Sequence, residues 1–385
     1  MDTESCVACV DDNDCGGTGV CLPTGACADP TKIIHAISSG GSMMMNTCGG
    51  IGVGKACDLD TALLVARSGL GRNVIKLDDP GPYISAMNNF VVDVDIALGL
   101  TIDARNATLH HNATGAIFTI NLSKGMAILG GTIEGATGGG GDGIRCSDTA
   151  VLTILGTTIR TNDESGIDAS DCTLTIMSTD IQDNSKSTSG TLYSGIETSK
   201  GSITISRSQI ISNRGGGIII NNGKFVIVGN VFLGNGDNAS ALGGVSLSTA
   251  TLGDRLDFNT LADNKSQAGV APGIQCTAIP GFMAQNNVVW DNNGPTAVQV
   301  GGGCLHAFSD IGPISIVGSS IDGGNNLSVD PMFNGPTTDL NPRAMSPIRG
   351  KANPQADLTG IASKDIAGKV RTQPADLGAY VVPAQ

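Results

Sequence analysis

Apolar and polar positions along the chain alternate in short bursts, without a helical period. From residue 143 a small residue followed by an apolar one keeps returning. The instances are Gly143-Ile144-Arg145-Cys146, Gly166-Ile167-Asp168-Ala169, Gly195-Ile196-Glu197-Thr198, Gly217-Ile218-Ile219-Ile220, Gly244-Val245-Ser246-Leu247, Gly273-Ile274-Gln275-Cys276 and Ala297-Val298-Gln299-Val300. The intervals are 23, 29, 22, 27, 29 and 24 residues, a mean of about 26. A second burst runs in phase and closes on Asn162, Asn184, Asn213, Asn235, Asn264 and Asn292. An apolar residue stands three before each Asn (Ile159, Ile181, Ile210, Phe232, Leu261, Val289), and Ser, Thr or Asn stands five before. A third burst lies between them, as in Val151-Leu152-Thr153-Ile154 and Ser202-Ile203-Thr204-Ile205. Each period is three short strands with side chains alternately in and out.

One such coil cannot bury its own Ile row. Coils stacked at roughly 4.8 Å place like on like and bury a continuous apolar column. Asn at one corner of every coil can then pass an amide hydrogen bond up the stack. The predicted fold is all-β: a right-handed parallel β-helix, a single-stranded solenoid of about 26 residues per coil, its hand taken from the rule for parallel crossovers. Coil length varies mainly between the Asn and the next Gly, from four residues after Asn162 to eleven after Asn184. Those insertions gather loops on one side, where a binding face would be elaborated.

The flanks are less regular. Residues 1–30 read as a Cys-rich disulfide module, and 31–72 as a linker with an N-terminal capping helix. The solenoid is expected over 73–328 and a C-terminal closing segment over 329–385. The helix is placed at Asp58 to Ser68, from apolar Ala62, Leu63, Val65 and Ala66 and an Asp near the start.

Two stretches carry a family likeness. Cys57-Asp58-Leu59-Asp60-Thr61-Ala62, then Val74-Ile75-Lys76-Leu77 and Pro82-Tyr83, resembles the N-terminal capping region of bacterial secreted parallel β-helix proteins. The run from Asn325 to Phe333, with Asp339-Leu340, Ser346-Pro347-Ile348, Asp365-Ile366-Ala367-Gly368, Arg371 and Asp376-Leu377-Gly378-Ala379-Tyr380, resembles their ending. The resemblance implies the pectin-lyase-like fold, export, and an extracellular or cell-surface place. It implies no particular activity. The chain lacks the Gly-His-Gly and Arg-Ile-Lys of polygalacturonases and a clear Asp-rich calcium strand of pectate lyases, which weighs against hydrolase or lyase chemistry.

Composition narrows the partners. Gly is 55 of 385 residues and aromatics only 3%, which suits a narrow core of stacked aliphatics. A formal charge of −13 argues against nucleic acid and anionic membranes. No stretch of about 18 apolar residues suggests a membrane span. Eleven Cys point to an oxidising compartment, with an export signal read as already removed. The five at Cys6, Cys9, Cys15, Cys21 and Cys27 suit a disulfide knot better than zinc, since no His is interleaved. Cys146 with Cys172, and Cys276 with Cys304, are expected as inter-coil disulfides.

Candidate chemistry follows from the repeat. The residue after each Gly-Ile pair should face outward, which aligns Arg145, Asp168, Glu197, Ile219, Ser246, Gln275 and Gln299. Asp168 and Glu197 then sit on neighbouring rungs, about the separation that suits a retaining glycosidase. Arg145 could neutralise a substrate carboxylate. The competing reading is a solvated charge ladder. Ser246, Gln275 and Gln299 form a polar row suited to glycan hydroxyls. No cofactor is required, though Asp11, Asp12, Asn13 and Asp14 could hold calcium in place of forming a plain acidic turn. Asn-x-Thr sequons such as Asn106 and Asn112 are what an Asn- and Thr-rich solenoid produces by chance.

The leading expectation is a non-catalytic exported protein binding a polysaccharide or another cell-surface component through the β-helix face. The rival is a polysaccharide-active hydrolase or lyase using Asp168 and Glu197, with Arg145 assisting.

Overall fold

A computed structural model describes residues 9, 11–16, 19–39, 48, 56–86, 89–93, 99–111, 113–121, 125–186, 190–277, 281–294 and 297–384. Three parallel sheets of 12, 9 and 10 strands run along one solenoid. The Gly-Ile strands build the nine-stranded sheet. Strands like Val151–Leu155 build the twelve-stranded one, and strands like Thr158–Arg160 the ten-stranded one.

Register, not propensity, selects the core. Ile144, Ile167, Ile196, Ile218, Val245, Ile274 and Val300 lie in one column, each with at most 1% of its surface exposed. Matching columns run through Ile128, Ile154, Ile176, Ile205 and Ile227 in the twelve-stranded sheet, and through Ile133, Ile159, Ile181, Ile210 and Phe232 in the ten-stranded one. The three columns meet in a single apolar interior.

The last coil departs from the expected alignment. Val300, not Val298, pairs with Ile274, so Gly301 pairs with Gln275. Val298 is 57% exposed and Gln299 is fully buried. Gln299 therefore does not belong to the outward row. The loop before it takes up two more residues than the motif suggested, so Gln299 falls outside the strand Val300–Gly302, at the corner level with Gly273.

Gln299 instead ends the Asn ladder. Asn162 donates its side-chain amide to Asn184 Oδ1 at 2.9 Å, and the chain continues through Asn213, Asn235, Asn264 and Asn292 at 2.8–3.0 Å. Each oxygen also accepts the backbone N–H of the preceding Asn, and from Asn184 to Asn292 the second amide hydrogen goes to a backbone carbonyl. Among the described residues, no Asn beyond Asn292 continues this ladder. Gln299 Oε1 accepts the Asn292 side-chain amide at 2.8 Å and its backbone N–H at 2.7 Å in that place. The Gly column is the steric partner of this ladder. A Cβ at Gly195 would lie 2.7 Å from Asn213 Nδ2, so the position needs glycine for space. A second buried ladder runs through Ser208, Asn230, Asn259 and Asn287, each five before a corner Asn, and ends on Ser309, which accepts the Asn287 N–H.

The ends are closed by different devices. Helix Leu59–Arg67 starts at Asp58, whose carboxylate accepts the Thr61 N–H at 2.7 Å, and buries Leu59, Ala62, Leu63, Val65 and Ala66 against the first coil. The solenoid begins earlier than residue 73. Ile33–Ala36, expected to be linker, pairs in register with Val74–Leu77 as the first strand of the twelve-stranded sheet. At the other end Ile316 and Ile321 pack against the core, ahead of the segment expected to do so. Residues from about 329 onward lie along the flank. Phe333, Leu340, Ile348, Leu377 and Ala379 cover outward Val228, Val231, Phe258 and Val288. Arg371, nearly buried, places its guanidinium 4.6 Å from the Phe258 ring centroid and donates to Gly378 O at 2.8 Å.

The N-terminal module also packs on a flank. Disulfides Cys9–Cys21 and Cys15–Cys27 cross-link it, and Val20 and Ala28 pack with Ile33, Val74 and Leu129. Cys9, Cys15 and Cys21 sulfurs lie close enough to hold a metal, but all three are consumed by these bonds. Cys6 and Asn112 lie outside the described residues. The acidic turn is committed to structure. Asp11 accepts the Asn13 N–H at 2.8 Å, and Asp12 accepts the Cys21 N–H at 2.8 Å while pairing with Lys76 (3.5 Å) and Arg105. Asp12 thus ties the module to the solenoid. Below it, Asp103 is pushed up to about 7 by burial and by its hydrogen bond with Asp12.

Cys48–Cys57 is a further disulfide near the helix, unforeseen from sequence. Cys146–Cys172 and Cys276–Cys304 each join one coil to the next, with Cα atoms 6.2 and 5.7 Å apart. Alkylation of the unreduced, denatured protein is expected to leave these four Cys unmodified; four modified thiols would refute the pairing. Asn213→Ala removes a middle rung and leaves buried donors unpaired, a cost of about 3 kcal/mol. Gln182→Ala, on the outer side, is expected to change stability by less than about 0.5 kcal/mol. Denaturant midpoints compare the two, and equal midpoints would remove the ladder as a support.

Candidate functional site

The nine-stranded sheet presents one outward column: Val91, Thr119, Arg145, Asp168, Glu197, Ile219, Ser246, Gln275 and Gly301. Charge concentrates on three consecutive rungs. Arg145 pairs with Asp168 at 3.6 Å and with Asp142 at 2.6 Å. Asp142 is only 1% exposed, and its other oxygen accepts the Ser165 N–H at 3.0 Å. Glu197 accepts the Ser194 N–H at 2.8 Å. Tyr193, from the loop before that strand, lies against Glu164 from the loop one coil earlier.

The column therefore joins Arg145, Asp168 and Glu197 in register. Asp142, Glu164 and Tyr193 complete the group and escaped the sequence reading. The only available signal was their place in the variable segments between Asn and Gly, where loop lengths decide what reaches the face. Arg145 is less available than expected. Two carboxylates hold it, so it is not a free clamp for a substrate anion.

Electrostatics follow from burial. Asp142 is pushed up to about 6 by burial and by the Asp168 charge, against the pull of Arg145. Asp168 is raised by burial and then by Glu164, with Arg145 opposing. Glu197 is raised by burial, with Asp168 and Glu164 adding to it and the Ser194 N–H opposing. Tyr193 is raised by burial and by Glu164. The group is thus four carboxylates and one arginine held together, with Asp142 buried and the Arg145 and Asp168 side chains partly open to solvent.

Further along the same face Ser246 and Gln275 keep their expected outward places, while Gln299 is absent from the row. Beside Gln275 the surface sinks into a hollow of about 470 Å³. Its walls are the segments 267–272 and 297–302, with Asn293 at one edge. Among the described residues, no helix is long and apolar enough to cross a membrane.

Comparison with known proteins agrees with this architecture. A family model described as a right handed beta helix region matches residues 142–321. The crystal structure of pectate lyase Pel9A superposes with a TM-score of 0.61 at 14% identity, covering 91% of this chain and 96% of that one. At that identity the likeness is one of fold. Comparison with curated proteins gives no match. The protein is a right-handed parallel β-helix of the pectin-lyase-like fold.

Asp142 supplies a pH test. Its carboxyl is easier to protonate folded than unfolded, so its contribution to stability is fully present below about 3.8 and is lost as pH rises through about 6. Asp142→Asn keeps an acceptor for the Ser165 N–H but cannot ionise. The melting temperature of wild type is expected to fall relative to this variant between pH 4 and 7. Parallel curves would show that Asp142 does not titrate in that window.

Proposed function

We propose that the protein binds a neutral polysaccharide along the outward face of the nine-stranded sheet, as a non-catalytic protein of the extracellular space or cell surface. The observation that carries this reading is the state of Arg145. The one cation on the charged rungs is already neutralised by Asp142 and Asp168, so the face remains strongly acidic. Carboxylates rich in acceptor capacity suit sugar hydroxyls, which donate, and repel polyuronates. Arg145 and Asp168 side chains are 41% and 44% exposed, which supports an open face in preference to a closed reaction chamber. The disulfides support an oxidising compartment. Pectate lyase Pel9A, which shares the fold, lends polysaccharide as the partner class by analogy only.

One observation favours a second reading. Glu197, half-buried and raised, stands one rung from the more exposed Asp168. That asymmetry is what a general acid and its partner carboxylate need.

Affinity electrophoresis and reducing-end release on the same glycan panel separate the two. Retardation by a neutral glycan, weakened at least tenfold by Asp168→Asn or Glu197→Gln and unaccompanied by new reducing ends, is the expected result. Reducing ends released by wild type and lost in Glu197→Gln would establish the enzyme reading instead. Retardation by polygalacturonate alone would overturn both the neutral-ligand argument and its reliance on Arg145.

A further inference from the structure

The outward column changes character toward the C-terminal end. Three register steps beyond Glu197, roughly 14 Å along the stack, the outward residue is Gln275; one step later it is Gly301. Where other coils carry a side chain, this coil carries none, and the hollow of about 470 Å³ opens there. Gly301 is not forced by backbone conformation. A Cβ at that place would lie 2.8 Å from Gln275 Oε1 and 3.0 Å from the Ala271 methyl, so the glycine keeps space open beside the amide.

The lining has a definite chemistry. Val270, Ala271, Pro272 and Val298 make it largely apolar, and none of its residues is charged. Val298 stands 57% exposed at the rim. Gln275 Oε1 accepts the Ala271 N–H at 3.1 Å, which orients the amide. Its Nε2 has no partner among the described residues and is left as a donor. A hollow of this size admits a whole sugar unit, and its one oriented N–H donor beside uncharged, largely apolar walls suits a neutral substituent that carries a carbonyl and a methyl.

We infer that the hollow at Gln275 and Gly301 is a binding site for the acetamido group of an N-acetylated sugar unit. The carbonyl accepts from Gln275 Nε2, and the methyl packs on Val270, Ala271 and Val298. The inference builds on the reading that this face binds neutral glycans and adds a subsite that selects the acylated unit.

Titration calorimetry on the full chain tests it with two tetrasaccharides that differ in the substituent at C2. N-acetylated chitotetraose is expected to bind at least tenfold more tightly than cellotetraose. Gly301→Leu occupies the space beside the Gln275 amide, and Gln275→Leu removes the donor at nearly constant volume. Each is expected to abolish the difference between the two ligands. Glu197→Gln is expected to weaken both ligands and preserve their ratio. Equal affinities in wild type, no binding of the acetylated oligomer up to 10 mM, or a ratio retained in both hollow variants would overturn the subsite. A retained ratio in wild type with no effect of Glu197→Gln would overturn the acidic rungs as a binding element and leave the hollow standing. Thermal melts of each variant separate loss of binding from loss of fold.

Discussion

Everything in this molecule depends on satisfying buried amides at a corner that repeats every coil. An Asn side chain there has two donors and an acceptor to place in an interior without water, and each unpaired group would cost about 1–3 kcal/mol. Stacking solves the problem only if the next coil brings another amide to the same height. The Asn162–Asn292 series does this rung by rung, and Gln299 supplies the last oxygen. The glycines beside the ladder follow from it, because a Cβ would occupy the space of the amide. Spacing, corner residue and neighbouring glycine are thus one constraint.

A solenoid held this way leaves its outer flanks free for other uses, and both termini return to them. The N-terminal module is too small to build a core, so two disulfides hold it and Asp12 ties it to Lys76 and Arg105. The tail covers apolar residues near Val228 and Phe258 that would otherwise face water. Its own turns are fixed by buried carboxylates, with Asp365 and Asp376 each accepting two backbone N–H groups. The nine-stranded sheet is left with the outward row of Arg145, Asp168, Glu197, Ser246 and Gln275.

On that row the same stacking that orders the core crowds like charges. Asp168 and Glu197 cannot move apart without leaving register. The protein answers partly with Arg145 and partly with burial that favours protonation. The result is an acidic stretch at one end and an uncharged hollow at the other, joined by Ile219 and Ser246.

The repeat made the fold legible before any coordinate was known. Period 26, alternation and the Asn column identified the solenoid, both inter-coil Cys pairs and the shared face of Asp168 and Glu197, while the apolar pattern behind Asp58 placed the helix. These are consequences of local pattern, since a side chain's facing in a strand depends only on its parity and register. Loop conformation decided the rest. Whether Val298 or Val300 continues the apolar column turns on how residues 293–299 are spent, and that placed Gln299 in the core. Asp142, Glu164 and Tyr193 reach the site from segments of unequal length with no period to read. The sequence by itself determined which side chains can share a face. Only the tertiary structure decided which loops lean over that face, where the tail and the Cys module dock, and where a missing side chain leaves room for a ligand, because those outcomes depend on packing between residues far apart in the chain.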